Sequence, residues 1–319
     1  MRRLLVALTF SVQLLFGLCA NESVASRVEL IPKEDRRTLS QFFRRLFSHS
    51  DFSYTLLGKK PMGSIDYSLD LIAAPQFYKD PQELLFLMAL DKKGWEVWEK
   101  YAPLFSLNKY CFIKIQQENF FGFILVNREK ALEVISGSLA DFQKLVRNKL
   151  NAGDILSMIC EGRFGYYHSN EICLSTYYKA IGLLYGYGEE NVQAFIQREL
   201  MFETLKTFPF DLTHLPVDKG ACLEMEENTK SCKCCSLNGS ILFSSITLDL
   251  ITLMNQTCLI GTQKKQNPFH PLKKSCFLGY KDHDVTQRIV KSYDELDEEI
   301  LKINEAENFL ELVLEMLTS

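Results

Sequence analysis

From Asp284 to Leu317 the chain carries neither Gly nor Pro, and its apolar residues recur at helical spacing. Ile289, Tyr293, Leu296, Ile300 and Ile303 are four, three, four and three positions apart, and Ala306, Leu310, Val313 and Leu317 carry the stripe on with one slip. A seam of that period specifies a long helix with one apolar side, here over about four heptads. The opposite side is acidic, because residues 281–319 hold 11 acidic against 4 basic side chains. A helix of this kind has to bury its stripe. The expectation is a long amphipathic C-terminal helix, 280–319, packed on its own domain; a protein partner reached through the 284–317 helix is the alternative.

The rest of the chain has to supply what that helix packs on. With 319 residues, 47% of them hydrophobic, it is long enough for one large core or two smaller ones. Leu39, Phe42, Phe43, Leu46 and Phe47 predict a helix over Asp35–Ser48, with Arg36, Arg37, Arg44 and Arg45 on its solvated side. Residues 21–32 read as a spacer. Phe52, Tyr54 and Leu56 alternate as in a short strand, and Gly58 and Pro61 turn the chain. Asp80, Pro81 and Glu83 open a helix that runs to about Leu90, before Gly94 interrupts; Trp95, Trp98 and Tyr101 line a second piece to about Leu104. Tyr110–Ile115 and Phe120–Val126 read as a β-hairpin. Asn127 caps a helix to about Asn151, loosened at Gly137, and Asn170 caps another that ends at the glycines of YGYG, 185–188. Glu189–Lys206 is helical again, so the two glycines join an antiparallel pair. Residues 211–240 and 261–279 are loop-like, and Ile241–Met254 fits helix or strand. The fold class is therefore helix-rich α+β: one domain over 27–279 with a small antiparallel β-hairpin and a cysteine-bearing loop region, followed by the long helix.

The first twenty residues stand apart. Met1-Arg2-Arg3 is a short basic head, Leu4–Leu18 an apolar run, and Gly17, Cys19 and Ala20 are small residues near a cleavage point. This is the pattern of a signal peptide over 1–20, too short for a comfortable membrane span. Phe16-Gly17-Leu18-Cys19 is a lipobox with a bulky Leu18, so Cys19 is a lipidation candidate. Later apolar runs such as Leu84–Leu90 are core-length, which confines any membrane attachment to the signal peptide or a lipid anchor. Export to the periplasm, envelope or medium is the expected location. The sequons at Asn21, Asn238 and Asn255 matter only in a eukaryotic secretory pathway.

Compartment decides the chemistry of the cysteines. There are 10, and six lie in 222–276: Cys222, Cys232, Cys234, Cys235, Cys258 and Cys276. Zinc sites offer paired cysteines two to four residues apart, and Cys232-Lys233-Cys234-Cys235 is too tight for that. In an oxidising compartment these six are disulfide candidates, and the adjacent Cys234 and Cys235 pair with different partners. In a cytosol they stay reduced, or join His214 and His270 around a metal.

Motifs for catalysis are missing. The sequence contains no Gly-x-Ser-x-Gly, His-Glu-x-x-His or Gly-x-Gly-x-x-Gly. Gly58-Lys59-Lys60 lacks the first glycine and the Ser or Thr of a phosphate loop. Among the five histidines, His168 with Cys160 is a thiol–imidazole candidate. Glu189-Glu190 suits a helix start. A net charge of −4 argues against a general nucleic-acid binder. No catalytic residue, metal ligand or cofactor is assigned. The leading reading is a non-enzymatic exported or envelope-associated protein that acts by binding. The alternatives are an envelope hydrolase-like enzyme with a non-standard site, and a cytosolic protein that binds metal through the 222–276 cysteines.

Three stretches, FSYTLLGKKPM (52–62), GWEVWEKY (94–101) and GLLYGYGEENVQAF (182–195), resemble uncharacterised exported proteins of Chlamydiae-type bacteria. The likeness spans about half the chain. It implies a bacterial envelope or secreted location, leaves the sequons idle, and assigns neither an activity nor site residues.

Overall fold

The apolar run FFGFILV becomes the middle strand of a sheet that is covered on both sides. In the computed structural model, which describes residues 22–49, 51–68, 81–117, 120–164, 174–206, 253, 256–260, 277–280 and 283–319, the strands are β1 (Met62–Ser68), β2 (Tyr110–Gln117) and β3 (Phe120–Asn127). Their order is β1-β3-β2 and both pairs are antiparallel, with Met62 and Cys111 flanking Val126 from opposite sides. The expected hairpin is present, and β1 adds a third strand. Successive side chains of a strand point to opposite faces. Phe121, Phe123 and Leu125 therefore enter one core, while Ile124 and Val126 enter another with Met62, Cys111 and Ile115.

The first core is aromatic. α1 (Val24–Glu29), α2 (Lys33–His49), α3 (Phe52–Leu56) and α4 (Pro81–Tyr101) close it. Phe43 meets Trp98 edge-on at 5.4 Å and Trp95 stacks on Phe123 at 5.1 Å. Three expectations are corrected here. The spacer contains α1, whose Ser23 hydroxyl accepts from the Ser26 amide. Residues 52–56 are a helix, because all five side chains are buried and an alternating strand would turn every second one to the other face. Gly94 does not interrupt α4; it permits it, since a Cβ there would stand 2.5 Å from the Phe42 side chain. The glycine is a close-approach residue where α2 crosses α4.

The C-terminal stripe is divided between α10 (Asp284–Glu305) and α11 (Phe309–Thr318) instead of forming one helix. The slip in the seam is the break: Ala306 is extended, at φ −63° and ψ 139°. Arg44 holds it, donating to the Ala306 carbonyl at 2.9 Å and lying over the Phe309 ring at 4.3 Å. Tyr293, Leu296, Ile300, Phe309, Leu310, Val313, Leu314 and Leu317 are buried in the first core, where α10 and α11 pack on α2.

The second layer holds α5 (Arg128–Gly137), α6 (Leu139–Val146), α7 (Ala152–Cys160), α8 (Leu174–Leu184) and α9 (Glu189–Lys206). The helix expected over 127–151, loosened at Gly137, is two, because Ser138 leaves helical geometry at φ −125° and ψ 30°; Arg147 then turns left-handed at φ 53° and ends α6. Asn127 does cap α5, and Asn151 opens α7 by accepting from the Asp154 amide at 2.9 Å. Gly186 and Gly188, at φ 74° and 80°, join α8 to α9 as expected. A separate antiparallel pair, β4 (Thr257–Ile260) with β5 (Phe277–Tyr280), lies against α9, so the loop after Gly261 gives way to strand at Phe277. Among the described residues no helix is long and apolar enough to cross a membrane.

Candidate functional site

Among the described residues Lys60 is a lysine whose side chain is fully buried. The chain reaches it through the end of α3, where the Lys59 and Lys60 amides both donate to the Tyr54 carbonyl at 2.8 and 3.2 Å. GKK is thus a helix terminus, and its lysine points inward. The Lys60 ammonium lies 2.8 Å from Asp51, and 4.9 and 5.1 Å from the ring centres of Tyr187 and Tyr293. Burying an ammonium is costly unless an opposite charge and other polar groups replace its water. One carboxylate and two aromatic faces do so here. Tyr54 extends the cluster by donating to Asp297 at 3.0 Å, and its ring packs 4.6 Å from that of Tyr293. Burial first, then the charge of Asp297, holds the Tyr54 hydroxyl far above its ordinary range. Next to it, the left-handed Gly186 comes so close to Pro61 that a Cβ would stand 3.1 Å from its ring, and Ser64 and Tyr185 share a hydrogen bond of 2.5 Å. Two of the three stretches that carry the family resemblance therefore meet each other, and α10, around one buried cation.

A second buried charge pair ties the helices to the sheet. Asp91 of α4 is fully buried and takes both prongs of the Arg45 guanidinium, at 2.8 and 3.0 Å. Tyr67 of β1 donates to Asp91 and accepts from Arg45 at 2.8 Å. Burial works to lower Arg45, yet the hydrogen bonds and charge of Asp91 outweigh it and hold the guanidinium above its ordinary value. Arg44 and Arg45, expected on a solvated face, thus both have partners in the fold.

The predicted site residues divide by position. Cys19, Cys222, Cys232, Cys234, Cys235 and Cys276 lie outside the described residues, as do His168, His214 and His270. Cys258 falls in β4, in register with Gly279. Among the described residues no group of three or more His, Cys, Asp or Glu is placed to hold a metal. Sequence reasoning missed the contact between Cys111 and Cys160, whose sulfur-to-carbonyl distance is 3.1 Å. The alternation of β2 does place Cys111 on the face of Ile113 and Ile115, but no spacing rule links it to a residue 49 positions on.

Compared with protein-family models, curated proteins and solved structures, the chain finds no match in any of the three.

Proposed function

We propose that this is a non-enzymatic bacterial protein, exported to the periplasm, envelope or medium, that acts by binding a protein partner. The basic, apolar and small-residue pattern of residues 1–20 and the resemblance to exported proteins of Chlamydiae-type bacteria support the location. One observation carries the binding. On the first turns of α4, Leu85, Phe86 and Leu90 are 42%, 62% and 39% exposed, and Ala89 and Lys93 beside them are exposed too. Their three- and four-residue spacing puts them on one side of the helix, as an apolar ridge ending in a positive charge. Its complement is an amphipathic partner segment with apolar residues and an acidic flank. The 284–317 segment offers a partner only its outer, acidic side, with Asp294, Glu295 and Glu298 exposed, because its apolar stripe packs on α2.

Export is tested by the intact mass of the mature protein from its native host, which should be short by about 20 residues. Binding is tested by a photocrosslinking residue at position 86 in the same host. A discrete cross-linked species is expected, and it should vanish with Leu90→Asp while the circular dichroism stays unchanged. A yield at position 86 no higher than at the exposed Glu307 would overturn the reading. A species of twice the chain's mass makes the partner a second copy.

A further inference from the structure

β2 and α7 meet at two cysteines. Cys111, the second residue of β2, is buried against the second helix layer, and Cys160 is the last residue of α7, whose Ile155 and Ile159 fill the same core. The Cys111 sulfur lies 3.1 Å from the Cys160 carbonyl oxygen. Both thiols are free, and Cys160 is partly exposed while Cys111 is not. A reagent from solution therefore reaches Cys160 first. The two environments are also unequal in charge. The hydrogen bond from Cys111 holds the Cys160 thiol below its ordinary range; its own burial and Glu161 oppose this, and the Arg128 guanidinium assists. The same hydrogen bond, then burial, raises Cys111. Arg128 is fixed in place by donating from Nε to the Tyr110 carbonyl at 3.2 Å. The Cys111 S–H donates to the Cys160 carbonyl, and the two thiols lie near enough to perturb each other. An accessible thiol inclined to lose its proton, beside a buried one inclined to keep it, is the arrangement of an attacking and a resolving cysteine.

We propose that Cys111 and Cys160 form a thiol–disulfide exchange site for low-molecular-weight disulfides, with Cys160 attacking and Cys111 resolving. The Cys160 thiolate attacks one sulfur of a disulfide RSSR. The S–S bond breaks, a Cys160–S–S–R bond forms, and RS⁻ leaves and takes up the proton released by Cys160. Cys111 then loses its proton and attacks the Cys160 sulfur, expelling a second RS⁻ that is protonated in turn. Two protein thiols are oxidised to one disulfide and RSSR is reduced to two RSH. The product ties β2 to α7. The site lies on the opposite side of the sheet from α4 and is independent of partner binding there.

The test uses the reduced full chain and oxidised glutathione, with acid quenching, alkylation, digestion and peptide mass mapping. A Cys111–Cys160 linked peptide is expected from the wild type. Cys111→Ser should accumulate glutathione on Cys160, while Cys160→Ser should carry none on Cys111. In the reduced native protein, iodoacetamide should label Cys160 at least about tenfold faster than Cys111. The proposal is overturned if both thiols survive under conditions that oxidise a control dithiol peptide. It is equally overturned if Cys160 links to another cysteine, or if the two variants take up glutathione alike. The wild-type map decides the matter even if a variant misfolds.

Discussion

At the scale of single residues, the two members of the Lys60–Asp51 pair are not equivalent. Lys60 is completely buried, whereas the Asp51 side chain keeps 14% of its exposure and can recover water. Removing the carboxylate leaves an ammonium in the core without its counter-ion, which costs about 3–5 kcal/mol. Replacing the lysine by an apolar side chain of similar length leaves a carboxylate at the rim and costs less. Asp51→Ala is therefore expected to lower stability by several kcal/mol, and Lys60→Met by clearly less, as read from urea unfolding midpoints with unchanged slopes. Equal losses would place the value of the site in its aromatic walls. Nothing in GKK announced this role. The glycine and proline around the lysines signalled a turn, and a turn was found, but burial of a lysine is decided by residues far away in sequence, Tyr187 and Tyr293, that supply its surroundings.

At the scale of elements, local periodicity was legible wherever a single core face determined it. The helix over 35–48, the hairpin, the Asn127 cap and the glycine turn at 185–188 all have their signal within a few residues. The sequence misled where tertiary packing overrode the local pattern. An alternating 52–56 folds as helix because all five of its side chains are buried, which a half-exposed strand would not allow, and Gly94 stays in α4 because Phe42 occupies the space of its missing side chain. The C-terminal seam was read correctly as apolar, and its one slip was the break between α10 and α11. That division concentrates burial in a short element. Phe309, Val313, Leu314 and Leu317 are each fully buried, and Phe309 meets Phe47 edge-on at 5.7 Å. Phe309→Ala should cost about 3–5 kcal/mol, from lost transfer energy and an unfilled cavity. Thermal unfolding should show it as a lower midpoint; a shift within error would mean that α11 is a dispensable tail.

At the scale of the molecule, buried phenols gather at the seams between the sheet and both helix layers. Burial is the main cause that raises the hydroxyls of Tyr54, Tyr67, Tyr110 and Tyr185; Tyr110, which donates to the Leu56 carbonyl at 2.6 Å, is pushed up to about 12. Each of these groups ionises near pH 10 in the unfolded chain and higher in the fold. Between those values the unfolded state binds fewer protons, so stability falls with rising pH. The contribution is complete below pH 10 and lost as pH climbs through the folded values. Alkaline titration should therefore show a late, cooperative rise in tyrosinate absorbance coinciding with loss of circular dichroism. A gradual rise of all 13 tyrosines near pH 10 with the fold intact would contradict it.

The pairing of α11 with α1 and α2 also sets an order of events while the chain is being made. The second core draws on residues between Met62 and Leu184 and is complete once those are out of the ribosome. The first core brings Val24 and Val28 against Leu310, Val313 and Leu317, so its last wall arrives only when nearly the whole described chain has been synthesised. Phe42 and Phe43 can already pack on Trp98, Phe112 and Phe123, but until then the side of that core held by Val24, Val28 and Phe47 stays open. A nascent chain in that condition carries an unsatisfied apolar flank, the kind of surface that a holding chaperone grips.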